Sequence, residues 1–245
     1  MAADWCVVIP QKDLVLAKSR MNLEAADRRR LSLAMLGDTI AAVAAASTVM
    51  RIFVVCDNER DADVIGHARV TTYVNRRGGG LNAAVEAGVG LARSVHPHCA
   101  VAALPADLPA LRADELAHAL RCALRHARSF VADASGTGTT LLEASSGHQL
   151  HPSYGESSRA LHALSGATEL RGRRLGSLRR DVDDLPALRR TASGCGPLTS
   201  RVYAALAAGR TEAAWARHDH DCPAPRPGGR PPGPVARPAR SQLLE

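Results

Sequence analysis

Several short stretches carry side chains whose types and spacing suit chemistry on a phosphorylated substrate. VAALPADLPAL (101–111) runs an apolar segment into Pro105, holds Asp107 and closes on Pro109. A carboxylate fixed just beyond a strand end can serve a hard divalent cation. Mg2+ takes oxygen ligands, keeps several waters and commonly binds one or two carboxylates plus substrate phosphates. The same aspartate could instead cap the turn that follows. RRDVDDLPAL (179–188) sets Asp181 and Asp183 on either side of Val182, so an extended backbone would point both carboxylates one way. A simpler role is open here too: a polar turn capping a helix that starts at Asp184.

Three further stretches supply neutral and cationic groups. In GTGTT (136–140), Gly136 and Gly138 offer exposed N–H groups, and Thr139 and Thr140 offer hydroxyls. HPSYGESSRALH (151–162) adds Gly155 to Ser158 where a helix should begin. Together they could cradle a phosphate or a carboxylate; capping by Ser157 or Ser158 is the structural alternative. GGGLNAAV (78–85) places three glycines before a helix, allowing close backbone approach to a ligand, and Asn82 carries an amide that suits a nucleobase edge. It is not a GxGxxG fingerprint. IPQKDLVLAKSR (9–20) follows a strand with Lys12, Lys18 and Arg20, and contains no GxxxxGK[ST] loop. Lys12 and Lys18 are the only lysines among 31 cations. A compact ammonium suits phosphate where a planar guanidinium is less interchangeable. Cations for a polyphosphate, carboxylates for a divalent ion and a hydroxyl cradle for an anionic acceptor make a set for nucleotidyl transfer. His218, Asp219, His220 and Cys222 have ligand types but stand at the entrance to a Pro/Gly/Arg-rich stretch, and are not read as a metal site.

These residues need elements to position them. Apolar, β-branched runs at 5–10, 51–57, 69–74, 99–104 and 129–133 read as strands, and 136–144 reads as a Gly/Thr turn leading into another. Helical spacing appears at 27–46, 59–67, 81–95, from Asp114, and at 155–165 and 197–207. Such alternation predicts an α/β fold with a mostly parallel central sheet and helices on both faces. Ligands of open sheets of this kind bind at the carboxyl ends of the strands, which is where Asp107 falls. Two regions are expected: a domain over 1–208 and a Pro/Gly/Arg-rich disordered tail over 209–245.

Composition removes several functions. Aromatic residues make up 3% of the chain, too few for a base-stacking nucleic-acid platform. The net charge of +7 suits anionic small molecules equally well. An Arg-rich nucleic-acid binder is the remote alternative, and it leaves the aspartates at the ligand edge unexplained. The six cysteines form no CxxC pair, so a structural zinc site is not expected. No charged-then-apolar leader precedes Trp5, and no uncharged run is long enough for a bilayer; a cytoplasmic protein without membrane partners is expected.

In their order, IPQKDLVLAKSR, GGGLNAAV, LPADLPAL, FVADASGTGTTLL, HPSYGESSRALH, SGATELRG and LRRDVDDLPAL resemble the guanylyltransferases of deazaflavin-coenzyme (F-420) biosynthesis. The resemblance covers roughly residues 5 to 205. It implies a single Rossmann-like domain of the nucleotide-diphospho-sugar transferase type. GTP and phosphoenolpyruvate would be the substrates, with pyrophosphate released. 2-Phospho-L-lactate or 3-phosphoglycerate are alternative acceptors, and a nucleotidyltransferase for sugar phosphates or molybdopterin-type acceptors is the next reading. Asp107 and Asp181 would be catalytic and hold Mg2+, with Asp183 beside them as a third metal acid. Thr139, Gly155 and Ser158 would grip the three-carbon acid. Lys12, Lys18, Arg20, Gly80, Leu81 and Asn82 would receive GTP. Functional coupling to the next transferase of the pathway is expected. KSRM stands where the family usually has KTRL, and the segment after Gly209 has no clear counterpart.

Overall fold

The computed structural model describes residues 5–12, 21 and 23–209. Lys18, Arg20, the HDHDC stretch and the expected tail beyond Gly209 lie outside the described residues. Seven strands form one sheet: β1 (Trp5–Gln11), β2 (Val49–Cys56), β3 (Val70–Val74), β4 (Ala100–Ala103), β5 (Arg128–Ala132), β6 (Thr139–Ala144) and β7 (Thr168–Glu169). Their order across the sheet is β3-β2-β1-β4-β6-β5-β7. β6 runs antiparallel to both β4 and β5, while the other pairings are parallel. The α/β, mostly parallel architecture expected from the sequence is the one observed.

The apolar runs explain the placement. All seven residues of β1 are buried, as a strand with neighbours on both sides and helices on both faces requires. β3 closes one edge and exposes Thr71, Thr72 and Tyr73. The helices α1 (Ala25–Ala45) and α4 (Ala113–Ala123) cover one face, over Val7, Ile9, Ile52, Val54 and Ala102. The other face, with Val8, Phe53, Val55 and Val101, is packed by α3 (Gly80–Val95). Gly88 sets how closely α3 lies: a Cβ there would fall 2.5 Å from Val8 Cγ1 and 2.8 Å from Val55 Cγ2. A short α2 (Glu59–Asp63) links β2 to β3, its start capped by Asn58.

After β6 the elements shorten: α5 (Ser158–Leu164), β7, two 3-10 turns at Arg173–Leu175 and Ser177–Arg179, then α6 (Leu185–Thr191) and α7 (Pro197–Ala207). Asp184 caps α6, accepting the Ala187 N–H at 2.7 Å, which is the capping role left open for this acidic run. α7 is capped from elsewhere in the chain. Asp38 on α1 accepts the N–H groups of Leu198 and Thr199 at 3.1 and 2.7 Å, satisfying two donors that its own helix leaves open. A separate apolar cluster joins Met21, Leu31 and Met35 to Val182 and Leu188. Val182 is fully buried in it. Burial of a side chain this size contributes about 2 kcal/mol, so Val182 anchors the two acids that flank it.

Candidate active site at the carboxyl edge of the sheet

The LPADLP turn leaves β4 at the edge where the parallel strands end. Thr39 on α1 holds it from below: its hydroxyl accepts the Leu108 N–H at 3.1 Å and lies 3.2 Å from the Ala106 carbonyl. Both neighbours of Asp107 are thereby fixed. The Val182 N–H donates to the Asp107 carbonyl at 3.0 Å. This bond joins two segments seventy-odd residues apart and sets Asp181 and Asp183 beside Asp107. Asp181 is half-buried and Asp183 exposed. Burial first, then the charges of Asp107, Asp183 and Asp133, push the Asp181 carboxyl up to about 7.

Asp133, at the end of β5, was not singled out by the sequence argument. Its position after an apolar strand is the signal that identified Asp107, and the same rule applied to FVAD would have found it. It accepts the Thr137 N–H at 3.0 Å and the Ser135 hydroxyl at 2.7 Å. Gly138 leaves room for it, since a Cβ there would lie 2.7 Å from Asp133 Oδ2. Arg179, just before the acidic run, donates to the carbonyls of Ala132 and Asp133 at 3.1 and 2.9 Å. The ends of β4 and β5 and the 179–184 segment therefore form one acidic seam.

The hydroxyl cradle stands beside this seam. The β5–β6 turn and the 151–162 stretch are stitched together at several points. The Arg159 N–H donates to the Thr137 carbonyl at 3.1 Å, and its guanidinium reaches the Gly136 carbonyl at 2.9 Å. Thr139 Oγ1 lies 2.9 Å from His162 Nδ1. Ser158 is buried at the start of α5, its N–H donating to the Gly155 carbonyl at 3.2 Å. Gly155 has φ +134°, a conformation that favours glycine. Thr139, Gly155 and Ser158 thus belong to one bonded assembly.

On the opposite flank, Gly78, Gly79 and Gly80 all take positive φ and are exposed ahead of α3. Asn75 shapes this loop, donating to the Gly78 carbonyl at 3.0 Å. Asn82 has partners within the protein. Its amide donates to the Tyr154 carbonyl at 3.1 Å and accepts the Tyr154 N–H at 2.7 Å. The residue expected to face a base therefore also clamps the loop around Tyr154 onto α3. Lys12 is exposed just past the end of β1, its carbonyl accepting from the Gln11 side chain at 2.6 Å.

A divalent cation fits the acidic seam. Burial and the neighbouring carboxylates raise the proton affinity of half-buried Asp181, positive charge would relieve it, and oxygen donors suit a hard ion. Among the described residues no three His, Cys, Asp or Glu side chains converge into a ready-made cage. Asp107, Asp181 and Asp183 are therefore not a closed trio. One or two of these carboxylates could bind the ion, leaving its other positions to water and phosphate oxygens.

Comparison with known proteins agrees with this geometry. The profile of the family described as "Guanylyl transferase CofC like" matches residues 5–171. A phosphoenolpyruvate guanylyltransferase of Streptomyces coelicolor is 44% identical over 205 residues, covering 82% of this chain and 97% of that protein. Its namesake from Streptomyces scabiei is 45% identical, with the same shares covered. Among solved structures, a Desulfovibrio desulfuricans protein described as a nucleotide-diphospho-sugar transferase superposes with a TM-score of 0.55 at 11% identity, over 81% of this chain and 97% of that one. The Mycobacterium tuberculosis protein Rv0371c, solved as a manganese complex, gives 0.50 at 17% identity over 78% and 98%. At such identities these structures speak for the fold alone. The sequence match spans the acidic turn after β4, the β5–β6 turn and the loop around Tyr154, and with it this chain belongs to the CofC-like guanylyl transferase family, a group of nucleotidyltransferase enzymes.

Proposed function

We propose that this chain transfers the guanylyl group of GTP to phosphoenolpyruvate, releasing pyrophosphate, as an early step of F-420 biosynthesis. The observation that carries the reading is the seam itself: the Val182 N–H bond to the Asp107 carbonyl brings two distant acidic segments together beside a cradle of hydroxyls. The acceptor identity is supported by the relatives named above. In the reaction a phosphate oxygen of the acceptor attacks the α-phosphorus of GTP. The bond from that phosphorus to the bridging oxygen breaks, and its electron pair leaves with pyrophosphate. The acceptor phosphate is already a dianion, so no side chain needs to take a proton from it and no covalent enzyme intermediate is required.

Asp107 and Asp181 would hold Mg2+, with Asp183 and Asp133 adding negative potential around it. When bound, the ion supplies charge neutralisation at the reacting phosphates. Thr139, Gly155 and Ser158 hold the acceptor acid, and Gly80, Asn82, Lys12, Lys18 and Arg20 receive the triphosphate. Residues 1–208 form the catalytic domain in this reading, and the product passes to the next transferase of the pathway. Among the described residues no helix is long and apolar enough to cross a membrane. The test is pyrophosphate release with each common triphosphate against phosphoenolpyruvate, 2-phospho-L-lactate and 3-phosphoglycerate, with Mg2+ and the next enzyme present to draw off a labile product. GTP with phosphoenolpyruvate should be the productive pair. Folded enzyme that is silent with GTP and every acceptor would remove the reading.

A further inference from the structure

His162 lies outside the catalytic set assigned above, yet it bonds two separate segments behind the acceptor cradle. It is fully buried on α5. Its ring packs edge-on to Tyr154, with centroids 5.3 Å apart at 77°, and tilted against Phe130 at 5.9 Å. Both ring nitrogens have partners. The Ser153 N–H donates to Nε2 at 2.9 Å, and Nδ1 lies 2.9 Å from Thr139 Oγ1.

These contacts determine the tautomer. A backbone N–H is only a donor, so Nε2 must be a lone-pair acceptor. A neutral imidazole then carries its proton on Nδ1 and donates it to Thr139 Oγ1. Protonating Nε2 would set N–H against N–H in a dry pocket. Burial, reinforced by the charge of Arg128, accordingly lowers the imidazole to about 4. Thr139 Oγ1 is committed as an acceptor toward the ring, and its own proton is directed away from it.

We infer that His162 is a positioning residue which fixes the Thr139 hydroxyl as a hydrogen-bond donor into the acceptor pocket. The inference rests on the reading of Thr139 as an acceptor-binding residue. It narrows the ligand chemistry: the atom meeting Thr139 must be a hydrogen-bond acceptor, a carboxylate or phosphate oxygen, and not an alcohol that needs to donate. The same imidazole holds Ser153, whose neighbour Tyr154 is clamped by Asn82 and bonds the Ala103 carbonyl on β4 at 2.9 Å through its hydroxyl. His162 therefore aligns the cradle with both the nucleotide flank and the acidic turn.

Two measurements test this on the full chain. The first needs no turnover: 15N–1H correlation of the His162 imidazole at pH 7 should show a proton on Nδ1 and an unprotonated Nε2. A proton on Nε2, or a doubly protonated ring, overturns the inference. The second compares variants. His162→Phe keeps the ring packing and removes both nitrogens; it should raise the acceptor KM about tenfold or more while the GTP KM stays within about twofold, as loss of one fixed hydrogen bond predicts. His162→Asn, whose amide can replace the Nδ1 donor, should recover most of that loss. Adding Thr139→Val to His162→Phe should cost little more, since the hydroxyl it deletes is no longer held toward the acceptor once His162 is gone. Equal rises in both KM values, no rescue by Asn, or additive losses would each reject the positioning role. If wild-type protein uses GTP with none of the acceptors, the proposed function fails, and the tautomer measurement still decides whether His162 orients Thr139.

Discussion

The two flanks of the site are built differently. On the nucleotide flank the chain uses backbone: three positive-φ glycines stand exposed ahead of α3, fastened by Asn75. On the acceptor flank it uses side chains: Arg159, His162 and Arg179 each cross from one segment to another and bond a partner there. The contrast suits the sizes of the two ligands proposed for these flanks. A nucleoside triphosphate is long and can be recognised at many points, so backbone N–H groups that glycines leave accessible suffice. A three-carbon acid offers few atoms, and each donor that meets it must be fixed beforehand. In the proposed reaction the acidic seam serves both flanks, because the reacting phosphates would meet there.

The comparison can be broken at its centre. Asp107→Asn and Asp181→Asn keep the shape and the Asp107 carbonyl that accepts from Val182. Each should lower kcat about a thousandfold while the thermal unfolding midpoint holds or rises, since a buried repulsive charge is removed. Turnover within tenfold of wild type would dismiss the carboxylates as metal ligands.

The foundations of the two flanks should also respond differently. Under the acceptor flank, Glu143 on β6 is fully buried, accepts the Ser129 hydroxyl at 2.7 Å, and is pushed by burial up to about 8. Its folded value lies above its unfolded value. The folded state therefore holds the extra proton, and stability falls as pH rises from about 4.5 to about 8. Glu143→Gln should remove that slope and unfold several kcal/mol harder than wild type at pH 9, by denaturant titration, with little difference at pH 4. Under the nucleotide flank, Gly88→Ala should destabilise by about 1–2 kcal/mol at any pH: overpacking against Val8 and Val55 outweighs the helix propensity gained. A pH-dependent Gly88 effect, or a flat Glu143 profile, would erase this distinction.

The tie between flanks gives the smallest effect. Asn82→Ala severs both bonds to Tyr154. The acceptor KM should rise about tenfold and the GTP KM less. A loss of discrimination between GTP and ATP with the acceptor KM unchanged would leave Asn82 its nucleotide role alone and remove it as the tie between the flanks.

Much of this arrangement was legible in the sequence, for reasons that differ by region. The strands from β1 to β5 are apolar runs whose bounds lie within a few residues of expectation; Asp57, Pro105 and Asp133 follow β2, β4 and β5 closely, while β1 continues through Pro10 to Gln11. Asp107 was legible because strand-end position and residue type coincide. β7 and the two 3-10 turns had no such signal; β7 spans two residues and exists through pairing with β5. The partners of Asn82 and His162 were hidden because residue type tells what a side chain can bond, and not whether ligand or protein provides the other half. Glu143 was hidden because a charged residue within a strand ordinarily faces solvent, and only the Ser129 neighbour on β5 reveals otherwise.

The reversed direction of β6 has a consequence for how such enzymes diversify. β5 and β6 form a hairpin that climbs to the ligand edge and descends again, so its tip is inserted between two strand ends without a crossover helix. In the proposed reaction that tip borders the acceptor, so lengthening or exchanging it would change which small acid is admitted and leave the connectivity of the strands on the other side of β4 intact. New acceptor preferences can therefore arise by loop grafting at one hairpin, on a scaffold whose donor chemistry stays the same.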